Sequence, residues 1–77
     1  MVITMKRLRD LREDNDLSQA DIAKILNCSQ ATYSRYETGE LSIAIDALIK
    51  LAKFYDTSID YIVQLTDVKK AYVRKKN

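Results

Sequence analysis

The sequence predicts an all-α fold of five short helices, and three observations carry that expectation. Apolar residues recur at three- and four-residue spacing along most of the chain, the period of helices with one buried face. Ser18, Ser29, Ser42 and Ser58 each stand just ahead of such a stretch, where a hydroxyl can cap a helix start. The chain has no proline and one glycine, so it lacks the turn punctuation of a sandwich, barrel or hairpin protein.

The elements follow in order. A first helix is expected from about Thr4 to Asp14, with Met5, Leu8 and Leu11 forming one stripe and Arg12 falling unexpectedly within it. Ser18, with Asp21 three residues on, is an acidic variant of the capping box. It opens a second helix that runs to Leu26 with Ile22, Ala23 and Leu26 on one face. Asn27 can adopt the left-handed conformation that ends a helix. Ser29 caps a third helix, closed by Gly39 as a left-handed C-cap. Ser42 caps a fourth, whose stripe is Ile45, Leu48, Leu51, Ala52 and Tyr55. Asp56-Thr57-Ser58 breaks it, and a short fifth helix runs to about Leu65. One domain is expected over residues 1–65. Residues 66–77 form a basic tail, either extending the fifth helix, since Val68 and Tyr72 are four apart, or a disordered arm.

Composition bounds the function. Seventy-seven residues, 47% hydrophobic and 31% charged, suit one soluble domain with a modest core. No apolar run approaches the roughly 20 residues of a membrane span. The apolar opening before Lys6 is too short for a secretion signal, so the expected location is cytoplasmic and no membrane partner is expected. A lone cysteine, Cys28, and the absence of histidine leave no internal disulfide and no zinc site of ordinary spacing. No cofactor or metal is expected. The net charge of +2 is unevenly spread: from Thr66 onward five basic residues face one acidic, and before it eight face ten. A strongly basic domain would indicate nucleic acid by itself; this one does not.

The second and third helices carry the functional signal. Only Asn27-Cys28-Ser29 separates them, a turn that suits two helices meeting at a steep angle. Ala23, mid-helix, lets the next helix approach closely. In the third helix Tyr33, Tyr36 and Glu37 cluster on one side. Ala31, Ser34 and Arg35 lie opposite, with Gln30 and Thr32 on the flanks. That outer face is slim and carries amide, hydroxyl and guanidinium groups suited to base edges. Taken alone, it fits a groove reader and a solvated face of an ordinary bundle equally well.

Leu17-Ser18-Gln19-Ala20-Asp21-Ile22-Ala23, followed by the run from Ser29 to Gly39, resembles the helix-turn-helix of the phage-repressor and Cro (Xre-type) family. Leu51 to Tyr55 and Ser58 to Ile62 are similar to that family's fourth and fifth helices. The resemblance covers Met5 to Leu65 and implies a five-helix, lambda-repressor-like DNA-binding domain. It further implies that Gln30, Ala31, Thr32 and Arg35 meet bases, Arg35 bridging guanine bidentately. Gln19 would bond a phosphate and brace the first residue of the third helix. Ser29 and Thr38 would also meet phosphate, the first at a helix N-terminus. Arg12 and Glu37 match a buried ion pair between helices one and three. The residues point there independently, because each charge lies on the apolar side of its own helix and an unpaired buried charge is costly.

This chain departs from the family pattern in places. Tyr33 stands where Ile or Val is usual, Asn27 replaces a frequent glycine, and Cys28 takes an apolar slot as a small hydrophobe. Glu40 occupies a position often held by lysine or arginine. Phosphate contact must then lean on Gln19, backbone amides, Lys6, Arg7 or Arg9 of the first helix, and the basic tail. That shortfall points to a homodimer, with surplus apolar groups at Phe54, Tyr61 and Leu65 as its interface; packing within the monomer is the alternative for Phe54 and Tyr61.

The expected function is a transcriptional regulator on a two-fold operator in double-stranded DNA. It would act by occlusion or by touching RNA polymerase. The alternative is an antitoxin-like protein-interaction module that keeps the fold without strong DNA binding. No enzyme is expected: the chain has no histidine, no second cysteine, no glycine-rich phosphate loop and no recognisable carboxylate constellation.

Overall fold

In the computed structural model, which describes residues 5–69, local capping chemistry sets most helix ends. Helix α1 spans Lys6–Asp14 and buries Leu8 and Leu11. The Asn15 side chain closes it by donating to the Leu11 carbonyl at 2.7 Å. Asp16 then turns the chain at φ 55°, in the left-handed region that short polar side chains tolerate. The expected start at Thr4 lies outside the described residues.

Helix α2 spans Gln19–Leu26 and opens with a complete capping box. The Asp21 amide donates to Ser18 Oγ at 3.1 Å, and the Ser18 amide donates to Asp21 Oδ2 at 2.8 Å. Asn27 ends it at φ 57° and ψ 46°. The Cys28 amide donates back to the Ala23 carbonyl at 2.9 Å, so the chain reverses tightly into the next helix. Helix α3 spans Gln30–Thr38, capped by Ser29 Oγ, which accepts from the Thr32 amide. Gly39 ends it at φ 79°.

Helix α4, Ile45–Phe54, starts later than Ser42 would have placed it. Its N-cap is Ala44, which offers no side-chain bond, and Ser42 is exposed. Ile43 packs against the core from the preceding loop, so the helix begins beyond it. Ile45, expected on the buried stripe, is 63% exposed as a result. The stripe narrows to Leu48, Leu51 and Ala52, and Tyr55 follows the helix half-buried. Helix α5 is the single turn Ile59–Ile62, with Ser58 Oγ accepting from the Tyr61 amide. It stops short of Leu65 because Gln64 stands at φ 67°, incompatible with a continuing right-handed helix.

One core joins these pieces. Met5, Leu8, Leu11, Ile22, Ala23, Tyr33, Leu48, Leu51, Ala52 and Ile62 form a single buried cluster. Full burial of each large side chain contributes about 1.5–3 kcal/mol before chain entropy is set against it. Helix α1 packs on α3 and α5, α2 on α3, and α4 on α5. No helix among the described residues is long and apolar enough to cross a membrane.

Of the segment expected as a tail, residues 66–69 are described, and they lie against the body without helical structure. Arg7 gathers them. Its Nη1 donates to the carbonyls of Tyr61, at 2.8 Å, and Thr66, while Nη2 meets Asp67 Oδ1 at 2.6 Å. The guanidinium carbon sits 4.2 Å from the Tyr61 ring centroid, a cation–π distance. The buried Thr57 hydroxyl donates to the Lys69 carbonyl, and Lys69 Nζ lies 4.0 Å from Asp14. The expected extension through Tyr72, and Lys70, Arg74, Lys75 and Lys76, lie outside the described residues.

Candidate nucleic-acid interface

Helix α3 has two chemically distinct sides. Tyr33 is fully buried and Glu37 nearly so, while Gln30, Ala31 and Arg35 are exposed and Thr32 and Ser34 are half-exposed. Four α3 residues proposed from sequence to meet bases thus lie toward solvent or at its margin. They occupy a helix whose other side is locked into the domain.

The lock is ionic. Arg12 Nε donates to Glu37 Oε2 at 2.7 Å, and Arg12 Nη2 to Glu37 Oε1 at 3.2 Å, a two-pronged pair between α1 and α3. Arg12 Nη1 also donates to the Leu17 carbonyl at 3.0 Å. One guanidinium therefore ties the first helix, the loop before α2, and the end of α3. Gln19 Nε2 donates to Glu37 Oε1 at 3.3 Å. Instead of bracing the start of α3, Gln19 is brought to its far end.

This arrangement sets the charge states. Burial pushes the Glu37 carboxyl upward, but bonds from Arg12, and contributions from Tyr33 and Gln19, outweigh it and hold the group below its ordinary value. The Glu37 bond raises the Arg12 pKa despite burial. Burial, and then the neighbouring Glu37 charge, raises Tyr33 and pushes Tyr55 up to about 12. Both phenol oxygens are buried and complete no hydrogen bond of normal geometry, though the Tyr33 hydroxyl lies near enough to the Glu37 carboxylate to help hold its pKa down. Tyr33 thus brings a hydroxyl to a polar pocket where Ile or Val would have brought only bulk.

The hydroxyls along α3 differ in what they can still offer. Ser29 Oγ accepts from the Thr32 amide and donates to Thr32 Oγ1 at 2.9 Å. A hydroxyl has one proton, so Thr32 keeps its own for an external acceptor while that of Ser29 is engaged. Thr38 Oγ1 donates to the Arg35 carbonyl at 3.1 Å and accepts from the Glu40 amide at 3.4 Å. A phosphate bond from Thr38 requires its hydroxyl to rotate.

The basic groups divide. Lys6 is exposed, and Arg9 is exposed in an i,i+4 pair with Glu13 at 3.4 Å. Arg7, grouped with them from sequence, is instead engaged with Tyr61, Thr66 and Asp67 and is not free for phosphate in this conformation. Sequence reasoning missed that clasp, although a signal existed: at ~100° per residue Arg7 lies only about 40° from Leu11, at the rim of the buried stripe. Also missed was the pairing of Arg35 Nε with Glu40 Oε1 at 3.5 Å. Among the apolar groups assigned to an interface, Phe54 and Leu65 are exposed, at 47% and 77%, while Tyr61 is half-buried, packed against the core of its own chain with Arg7 over its ring. Cys28 is a free, half-buried thiol packed against the core.

Comparison with known proteins agrees with this architecture. A family profile described as Helix-turn-helix matches residues 8–62, a span that includes most of α1 and all of α2 to α5. The chain belongs to the helix-turn-helix family. In DNA-binding helix-turn-helix proteins the second helix of the motif enters the major groove; α3 holds that place in the order of this chain's helices. Similar proteins include the uncharacterized HTH-type transcriptional regulator YobD of Bacillus subtilis, 36% identical over 94% of this chain and 64% of its own length. A putative HTH-type transcriptional regulatory protein of Pyrococcus furiosus is 36% identical over 91% of this chain and 21% of its own. The cryptic phage CTXphi transcriptional repressor RstR of Vibrio cholerae is 39% identical over 74% of this chain and 51% of its own. The chain thus spans less than two thirds of each of these relatives. No solved structure matches it significantly.

Proposed function

We propose that this helix-turn-helix chain is a transcriptional regulator that binds DNA sequence-specifically as a homodimer, with α3 in the major groove. The observation that carries the reading is the two-sidedness of α3. Its inner side is fastened by Tyr33 and the Glu37–Arg12 pair, while Gln30, Ala31, Thr32 and Arg35 lie outward on a nine-residue helix. A reading helix needs this combination, because base contacts lose affinity and selectivity if the supporting backbone moves. Gln30 suits adenine, Thr32 offers a free donor, and Arg35 can bridge guanine. The proposed phosphate contacts are Lys6 and Arg9, Gln19 through its second amide N–H, and Ser29 and Thr38 once their hydroxyls rotate.

A single domain with so few basic groups near α3 gains affinity by pairing. The exposed Phe54 and Leu65, with Tyr61 beside them in the proposal, supply apolar surface for a second copy. Two copies on a two-fold operator place their reading helices roughly 34 Å apart. Bound there, the dimer would block a promoter or contact RNA polymerase. The names of YobD and RstR, a transcriptional regulator and a transcriptional repressor, support this reading.

The deciding experiment is selection from random duplex DNA, with binding then measured across a salt series. A two-fold symmetric site is expected, with affinity falling steeply as salt rises because bound phosphates release counterions. Enrichment of no sequence by folded protein at dimer-forming concentration would favour a protein-interaction module instead.

A further inference from the structure

The pairing of Arg35 with Glu40 is poorly explained as a stabilising contact. Arg35 Nε lies 3.5 Å from Glu40 Oε1, and both side chains are more than half exposed. Water screens such a pair, and two long side chains lose freedom in forming it. The backbone beneath it is nevertheless held closely. The Arg35 carbonyl accepts from the Leu41 amide at 3.1 Å and from the Thr38 hydroxyl at 3.1 Å. Thr38 Oγ1 accepts in turn from the Glu40 amide. Gly39, at φ 79°, makes that reversal possible. Glu40 is therefore anchored to the last turn of the helix whose arginine it faces.

The geometry of the contact matters as much as its existence. Glu40 meets Nε, and among the described residues no other charged side chain pairs with this guanidinium. The terminal edge, Nη1 and Nη2, is left open. That edge can donate two parallel bonds to O6 and N7 of a guanine.

We propose that Glu40 is a specificity-determining positioning residue, holding the Arg35 guanidinium by its Nε side so that the terminal edge faces a guanine in the major groove. This rests on the assignment of α3 as the DNA-reading helix. A tethered arginine loses less freedom when it docks than one sampling all its rotamers, and it docks in one orientation. The same carboxylate brings a negative charge near the phosphate backbone and weakens binding to every sequence alike. Glu40 thus acts twice in one direction: it lowers indiscriminate affinity and sharpens the single base contact. A lysine or arginine at the same position would do the reverse on both counts.

The test uses the full chain, the selected duplex, and a duplex changed at the one base pair whose preference Arg35→Ala abolishes. Wild type, Glu40→Gln, Glu40→Ala and Arg35→Ala are compared on these and on an unrelated duplex. Melting curves are recorded alongside, since exposed Glu40 is expected to leave stability nearly unchanged. A bidentate arginine carries roughly 5- to 150-fold preference at its base pair. Glu40→Ala and Glu40→Gln are each expected to reduce that ratio by about 5-fold, because the contact at 3.5 Å is one of opposite charges and both variants remove the carboxylate. Both variants should bind the unrelated duplex more tightly. A ratio unchanged in Glu40→Ala, with uniformly tighter binding, would overturn the proposal and leave Glu40 as a simple charge. If Arg35→Ala alters no base preference while a site is still selected, the proposal falls and the DNA-reading assignment stands. If the wild type selects no site, the DNA-reading assignment fails and the proposal fails with it.

Discussion

Replacing Glu37 by alanine tests the anchoring of the reading helix most directly. The carboxylate accepts two charge-assisted bonds from Arg12 and one from Gln19. Without it, Arg12 keeps only the Leu17 carbonyl, and its side chain is 13% exposed in the native fold. Charge-assisted bonds contribute about 1.5–3 kcal/mol each, and stranding one member of a buried pair costs about 3–5 kcal/mol. We therefore expect Glu37→Ala to lose about 3–5 kcal/mol. In a domain of this size that lowers Tm by at least ~12 °C, at 4–8 °C per kcal/mol. Urea and thermal melts followed by circular dichroism measure it. The companion double variant, Arg12→Met with Glu37→Leu, should recover most of the loss, because no charge is then left buried.

The pair also predicts the acid limb of stability. Glu37 has a folded pKa below its unfolded value of about 4.3. Its contribution is therefore complete above that value and disappears as pH falls through the folded pKa. Glu37→Gln should flatten the stability profile below about pH 4. A Glu37→Ala variant that melts within about 1 kcal/mol of wild type would refute this account of the buried pair.

Three further outcomes follow from other parts of the structure. Arg7→Ala should lower stability by about 1–3 kcal/mol, and truncation after Leu65 should remove most of the same energy, giving clear non-additivity in the double variant; additive losses would deny the clasp. Arg35→Ala should weaken the preferred site by about 1–3 kcal/mol and relax one base pair, whereas equal weakening on all duplexes would make Arg35 a phosphate contact. Tyr55, raised to about 12, should contribute stability that is complete below its unfolded value of about 10 and is lost as pH rises toward 12. Alkaline melts of Tyr55→Phe should show a shallower decline than wild type, and identical slopes would contradict the buried phenol.

The five helices and the turn between the second and third were legible from sequence because the forces behind them are local. Ser18 with Asp21, Ser29, Asn27, Gly39 and Ser58 act on backbone groups within a few residues. The periodic apolar residues around them form the single buried cluster of the core. Arg12 and Glu37 could also be singled out, since a charge on an apolar stripe needs a partner. The start of α4 was not legible: Ser42 is a sound capping residue, but Ile43 reaches the core before the helix begins, and burial outweighs a cap. Nor was the end of α5, where the left-handed Gln64 replaces a continuing helical turn.

Arg7 marks the boundary between the two kinds of information. By itself the sequence signalled the all-α class, the short turn after α2 and the outward face of α3, because each depends on spacing within one or two turns. It signalled the helix-turn-helix through its resemblance to a known family. The tertiary structure decided that Arg7 closes residues 61–67 onto α1, partners 54 to 60 positions away. It also decided that Gln19 serves Glu37 and that Glu40 faces Arg35. A long cationic side chain can satisfy its charge in many places, and only the packed chain brings a particular carbonyl or carboxylate within reach.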